Sequence, residues 1–137
     1  DRPNLLFRRP SSLQEVADRV IAGEDFGVAI KEFLDWFATA REANALVGEP
    51  QSIGEFEDAY CAALAEHLCL LNSWVAPHWT ASPRRVMRRP AFVDHGLPGM
   101  RARLLAESPL AFRKRAIFVD ARVGESVTAD VSRTRPD

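Results

Sequence analysis

Between Ser12 and Asn72 the apolar residues return every three or four positions, a period that an α-helix turns onto one face. In "SSLQE" Ser12 stands as a candidate N-cap with Glu15 three residues on, the pattern of a reciprocal capping box. Leu13, Val16, Ala17, Val20 and Ile21 follow at helical spacing, and Gly23 is the expected stop. Asp25 can cap a second helix, in which Phe26, Ala29, Ile30, Phe33, Leu34 and Phe37 recur. Segments 12–22 and 25–41, with only a short link between them, predict an αα-hairpin. A second capping box at Ser52 and Glu55 predicts the longest helix, 52–72. Past Ala59 its apolar residues cover most of the circumference, which places it at the centre of a bundle.

Beyond Trp74 the prolines at 77, 83, 90, 98 and 109 leave room only for short helices. Ser82-Pro83 and Ser108-Pro109 each have the form of an N-cap followed by proline at the first helical position. Between them, "LPGMRARLLAESP" supports a helix of about ten residues. "AIFVD", 116 to 120, is the one β-favouring run, too isolated to form a sheet unless a partner supplies a strand. From Gly124 the tail "GESVTADVSRTRPD" lacks core residues and is expected to be mobile. The expected fold is all-α: a compact multi-helix bundle over residues 1–123, one domain with short Pro-delimited C-terminal helices, and a tail at 124–137.

A chain of 137 residues, 47% apolar and 27% charged, is long enough for one core and too apolar for wholesale disorder. No window approaches the roughly 18 apolar residues of a membrane helix. The opening "DRPNLLFRRP" has no signal-peptide core, so a cytoplasmic location is expected. Cys61 and Cys69 on one helix are about 12 Å apart at 1.5 Å per residue, beyond the roughly 7 Å that a disulfide spans. They read as small buried hydrophobes. The use of 16 Arg against 2 Lys, beside 20 Ala, suggests a GC-rich bacterial coding sequence.

Charge is the most informative feature for function. Residues 11–70 carry twelve acidic and three basic side chains, net −9, whereas residues 84–115 carry nine basic and two acidic, net +7. The formal net charge of −1 conceals this division. Kept apart, the halves would each steer a partner of opposite sign. Interleaved, they would form surface pairs contributing roughly 0 to 1 kcal/mol each.

In "HWTASPRRVMRRPAF", 78 to 92, a helix begun by Pro83 would set Arg84 one turn from Arg88 and Arg85 one turn from Arg89, with Val86 and Met87 turned elsewhere. Trp74, Trp79 and Phe92 lie in proline-rich loops beside these arginines, and Trp with Arg is the composition of binding hot spots. Trp74, Trp79, Arg84, Arg85, Arg88, Arg89, Phe92, Arg101 and Arg103 are therefore the candidate partner-binding set. The alternative is a nucleic-acid binder using Arg84, Arg85, Arg88, Arg89, Arg101 and Arg103. It ranks second because the chain shows no helix-turn-helix spacing, zinc site or aromatic-bearing sheet.

Signals for catalysis are weak. His67 falls inside the long helix and reads as structural; His78 stands between Pro77 and Trp79; His95 follows Asp94 in the turn-like "VDHG". Cys61, His67 and Cys69 do not reproduce the ligand spacing of a zinc site. GxGxxG, P-loop, GxSxG and HExxH patterns do not occur. No catalytic residue, metal or cofactor is assigned, and the expectation is a protein that is not an enzyme.

"WVAPHW", "RRPAF" and above all "LLAESPLAFRKRAIFV" resemble a group of small all-helical bacterial proteins associated with toxin–antitoxin-like gene pairs, whose neighbours are nucleotidyltransferase-like proteins. The resemblance covers roughly residues 11–120 and carries no catalytic assignment; the tail after Val123 departs from it. It implies a non-enzymatic interaction module: an antitoxin-like protein that binds and neutralises a cognate bacterial toxin or enzyme.

Overall fold

A computed structural model describes residues 8–93 and 99–123. Helix α1 spans Leu13–Ile21, with Ser12 Oγ accepting from the Glu15 amide at 3.0 Å. The reciprocal half of the expected box is shifted by one residue, because Glu15 Oε1 accepts from the Ser11 amide at 2.6 Å. Gly23, at φ +113°, turns the chain, and the Glu24 amide closes back onto the Arg19 carbonyl at 2.9 Å. Asp25 caps α2, Phe26–Ala40, by accepting from the Val28 amide. A short α3, Asn44–Val47, leads into the crossing toward α4.

Helix α4 spans Glu55–Leu71, so its expected cap at Ser52 is not used. Gly54 takes φ +142°, a conformation that turns the chain immediately before the helix and leaves Ser52 outside its first turn. The Asp58 carboxylate reaches back instead, accepting from Ser52 Oγ at 2.6 Å and from the Ile53 amide at 2.8 Å. Ala59, Cys61 to Ala65, His67, Leu68 and Cys69 are buried, so α4 is covered on most of its circumference.

After α4 come two 3-10 turns, His78–Ala81 and Pro83–Arg85, then β1 at Ala91–Phe92. Helices α5, Met100–Glu107, and α6, Leu110–Arg113, precede β2 at Ile117–Phe118. The strands pair in parallel, Ala91 with Ile117 and Phe92 with Phe118. The isolated run "AIFVD" therefore does find a partner, supplied from within the chain. Ser108 is likewise not the cap of α6. Its hydroxyl lies 2.6 Å from the Leu104 carbonyl and accepts from the Val119 amide at 2.8 Å, tying the end of α5 to the residue after β2.

The fold is mostly helical, with one two-stranded sheet among the described residues. Its core joins Leu13 and Val16 of α1, Phe33 and Phe37 of α2, Leu46, Leu64 and Leu68, Phe112 and Ile117. Tyr60 makes edge contacts with Phe26 at 5.7 Å and Phe112 at 5.2 Å, linking α2 through α4 to α6. His67 is buried against Phe112, with Nε2 2.9 Å from the Val123 carbonyl. Cys61 and Cys69 are free and buried, and burial pushes the Cys61 thiol up to about 12. Among the described residues no helix is long and apolar enough to cross a membrane. The expected mobile tail, 124–137, lies outside the described residues.

Candidate interaction surface

Pro83 does begin a helical turn, and Ser82 Oγ accepts from the Arg84 amide, but the turn ends at Arg85. Val86 is already extended at φ −133°, ψ 138°. Two constraints stop the helix. Pro90 disfavours the α-conformation at Arg89, and the amides of Met87 and Ala91 are bound by the Arg115 and Ala116 carbonyls at 3.0 and 2.9 Å. The four arginines consequently do not share a helical face, and Val86 is exposed while Arg85 is buried.

Arg85, 5% exposed, is an internal strut. Its Nη1 donates to the Asp58 carbonyl at 3.0 Å, and its Nη2 to the Pro50 carbonyl at 2.9 Å and Glu49 Oε2 at 3.1 Å. The guanidinium lies 4.8 Å from the Trp79 ring centroid. Trp79 in turn donates from Nε1 to the carbonyls of Leu46 and Val47, both at 3.1 Å. Trp74 packs edge-on against Phe37 at 6.1 Å. Arg85 thus holds the chain together, a correction to its place on the surface expected from the sequence: a planar donor fork satisfies several carbonyls at once. Trp74 and Trp79 are half-buried against the core.

The two charged halves also interlock. Arg115, 2% exposed, donates to Glu66 Oε1 at 2.7 Å, to the Ala111 carbonyl at 2.7 Å and to the Thr80 carbonyl at 2.6 Å. Lys114 Nζ reaches Glu66 Oε2 at 3.0 Å. Burial pushes the Glu66 carboxyl upward, but the hydrogen bonds from Lys114 and Arg115 and their charges outweigh it and hold the group below its usual range. Arg113 spreads over the carbonyls of Leu105, Ala106 and Ser108 at the C-terminal end of α5. Glu55 accepts from the Arg88 amide at 3.1 Å, and Arg103 pairs with Glu107 at 3.3 Å on the surface. The division into an acidic and a basic side is therefore partial.

What remains outside is smaller and better defined. Arg84, Arg88 and Arg89 are exposed, and their guanidinium groups have no ion-pair partner among the described residues. A few residues further along the same chain segment, Phe92 stacks on Phe118 with centroids 5.0 Å apart, and the Arg101 guanidinium lies 4.8 Å from the Phe92 centroid. Both rings are half-buried. Phe118 did not enter the expected set. Its signal is the strand alternation that buries Ile117 and leaves Phe118 on the other face, and this becomes visible only once β1 is known to pair with it. His78 is exposed, whereas Asp94 and His95 lie outside the described residues. Among the described residues no three His, Cys, Asp or Glu side chains come together as metal ligands. Compared with protein-family models, curated proteins and solved structures, the chain matches none.

Proposed function

We propose that this protein is a non-enzymatic interaction module whose Arg84–Arg89 segment and Arg101–Phe92–Phe118 stack engage an acidic surface of another protein. One observation carries the reading. Within the basic segment the fold consumes Arg85, Arg113, Lys114 and Arg115 internally, yet leaves Arg84, Arg88 and Arg89 exposed and without ion-pair partners among the described residues. Exposed guanidinium groups beside half-buried rings suit protein recognition, in which Arg and aromatic residues supply the anchors. The specific form is antitoxin-like: the protein covers the acidic metal- or nucleotide-binding residues of a cognate bacterial toxin or enzyme, a nucleotidyltransferase-like protein by the resemblance of its C-terminal motifs. A cytoplasmic location belongs to the same proposal.

Coexpression with the product of the adjacent gene, followed by size-exclusion chromatography, tests this. A co-eluting complex is expected, and it is lost when Arg84, Arg88 and Arg89 are all changed to Glu. Absence of a complex, or a complex indifferent to the charge reversal, overturns the reading. Nucleic acid is the competing partner. With Arg85 buried and Arg103 paired, its exposed arginines without an ion-pair partner among the described residues are Arg84, Arg88 and Arg89, so log K against log salt would fall with a slope of about −2.7 on duplex DNA.

A further inference from the structure

The short sheet is unusual in its surroundings. Parallel strands occur almost always with both faces covered, and a two-stranded sheet is marginal by itself. Here one face packs inward, with Ile117 completely buried and its partner Ala91 half-buried, while the other carries the half-exposed Phe92–Phe118 stack. The ladder also fixes which backbone groups are used. The amides of Ala91 and Val93 donate toward β2, to the carbonyls of Ala116 and Phe118 at 2.9 Å each. Alternation along a strand then turns the Phe92 N–H and carbonyl to the opposite side. No hydrogen bond occupies either group among the described residues.

We infer that β1 is a docking edge: an acidic, extended peptide segment of the partner adds as a third strand beside Phe92. Its backbone would pair with the Phe92 N–H and carbonyl, alternate apolar side chains would lie against the Phe92–Phe118 rings, and its carboxylates would meet Arg88 and Arg89. Main-chain pairing supplies affinity in this mode, and side-chain positions supply specificity. Charge selects the occupant. A second copy of this chain would bring the same arginines to the same edge, and like charges directly opposite destabilise a strand pair. Positive side chains and Pro90, next to an open edge, are also a common defence against self-pairing, so an acidic strand is the one this edge accepts. The inference rests on the acidic-partner reading and specifies how that partner is held.

The probe is a capped ten-residue peptide of alternating glutamate and valine, titrated at low salt, with polyuridine as a second titrant. Phe92→Ala removes the ring but keeps the N–H. Phe92→Pro removes both, and leaves the ladder to β2 intact because the amide at 92 points away from it. The Ala variant is expected to bind several-fold more weakly than the parent, and the Pro variant at least tenfold more weakly than the Ala variant. In the unaltered protein the peptide should slow hydrogen exchange of the Phe92 amide at least tenfold, a readout that requires no variant to fold. Equal binding by the two variants, or unchanged exchange at Phe92, overturns strand addition. If triple reversal of Arg84, Arg88 and Arg89 still abolishes peptide binding in that case, the acidic-partner reading survives without it. Failure of the unaltered protein to bind the peptide while binding polyuridine overturns both.

Discussion

The Arg85 guanidinium stacks 4.8 Å from the centroid of Trp79, and the two side chains together bind four backbone carbonyls, those of Asp58 and Pro50 and those of Leu46 and Val47. They clamp the 3-10 turns onto the start of α4 and the end of α3. Arg85→Met keeps the length of the side chain and removes every donor, leaving the Asp58 and Pro50 carbonyls without their guanidinium donors. A buried group left unpaired in this way costs about 1–3 kcal/mol, so urea unfolding should show a loss of at least about 2 kcal/mol. A loss below about 1 kcal/mol would show that the clamp is dispensable.

Acid stability follows from two carboxylates. Burial raises both Glu66 and Glu15, but the hydrogen bonds and cations around them prevail: Lys114 and Arg115 for Glu66, Ser11 and Arg8 for Glu15. Both folded-state values lie below those of the unfolded chain. Their stabilisation is therefore complete above the unfolded value of about 4.3 and is lost as pH falls through the lower folded values. The melting temperature should hold down to about pH 5 and decline below it. Glu66→Gln should lower the melting temperature at pH 7 and make the decline between about pH 5 and pH 3 shallower. An equally steep decline in that variant would assign acid sensitivity to other groups.

Local signals in the sequence located the helical hairpin because caps and apolar period lie within a few residues of what they determine, and located α4 by its apolar period, since the expected Ser52 cap is not used. The Asp25 cap, the Gly23 turn and the buried stripe of Phe33 and Phe37 are all of this kind. Three features were not legible for one shared reason. The pairing of Ala91–Phe92 with Ile117–Phe118, the burial of Arg85 and the Arg115–Glu66 bridge each depend on segments distant in sequence. Four arginines in "RRVMRR" look alike in composition, and the distant bonds of the Met87 and Ala91 amides to the Arg115 and Ala116 carbonyls, together with Pro90, keep the turn at Pro83–Arg85 from continuing as a helix. The candidate surface was thus legible as a region, and its actual members, Phe118 among them, required the tertiary pairing.

Ser108 offers a local test of that pairing. Its hydroxyl bridges the Leu104 carbonyl and the Val119 amide in a buried position. Ser108→Ala leaves the Val119 amide without its acceptor and should cost about 1–3 kcal/mol. Hydrogen exchange at Val119 and Phe118 should quicken more than exchange within α4, because the Val119 amide is bonded to the Ser108 hydroxyl itself. Uniform acceleration would mean that the sheet and helices open as one unit.

The sharpest division in the molecule is between arginines the fold uses and arginines it leaves outside. Arg115 is buried on Glu66 and two carbonyls, and Arg115→Ala should destabilise by about 3 kcal/mol or more because it strands a half-buried carboxylate together with its lysine neighbour. Arg84, Arg88 and Arg89 have exposed side chains without ion-pair partners among the described residues, so reversing all three to Glu should shift stability by no more than about 0.5 kcal/mol per site. The two outcomes must come as a pair, measured by the same urea titration at pH 7. If the triple reversal instead unfolds the protein, these groups serve the structure through contacts of their own, and a surface held ready for another molecule loses its physical basis.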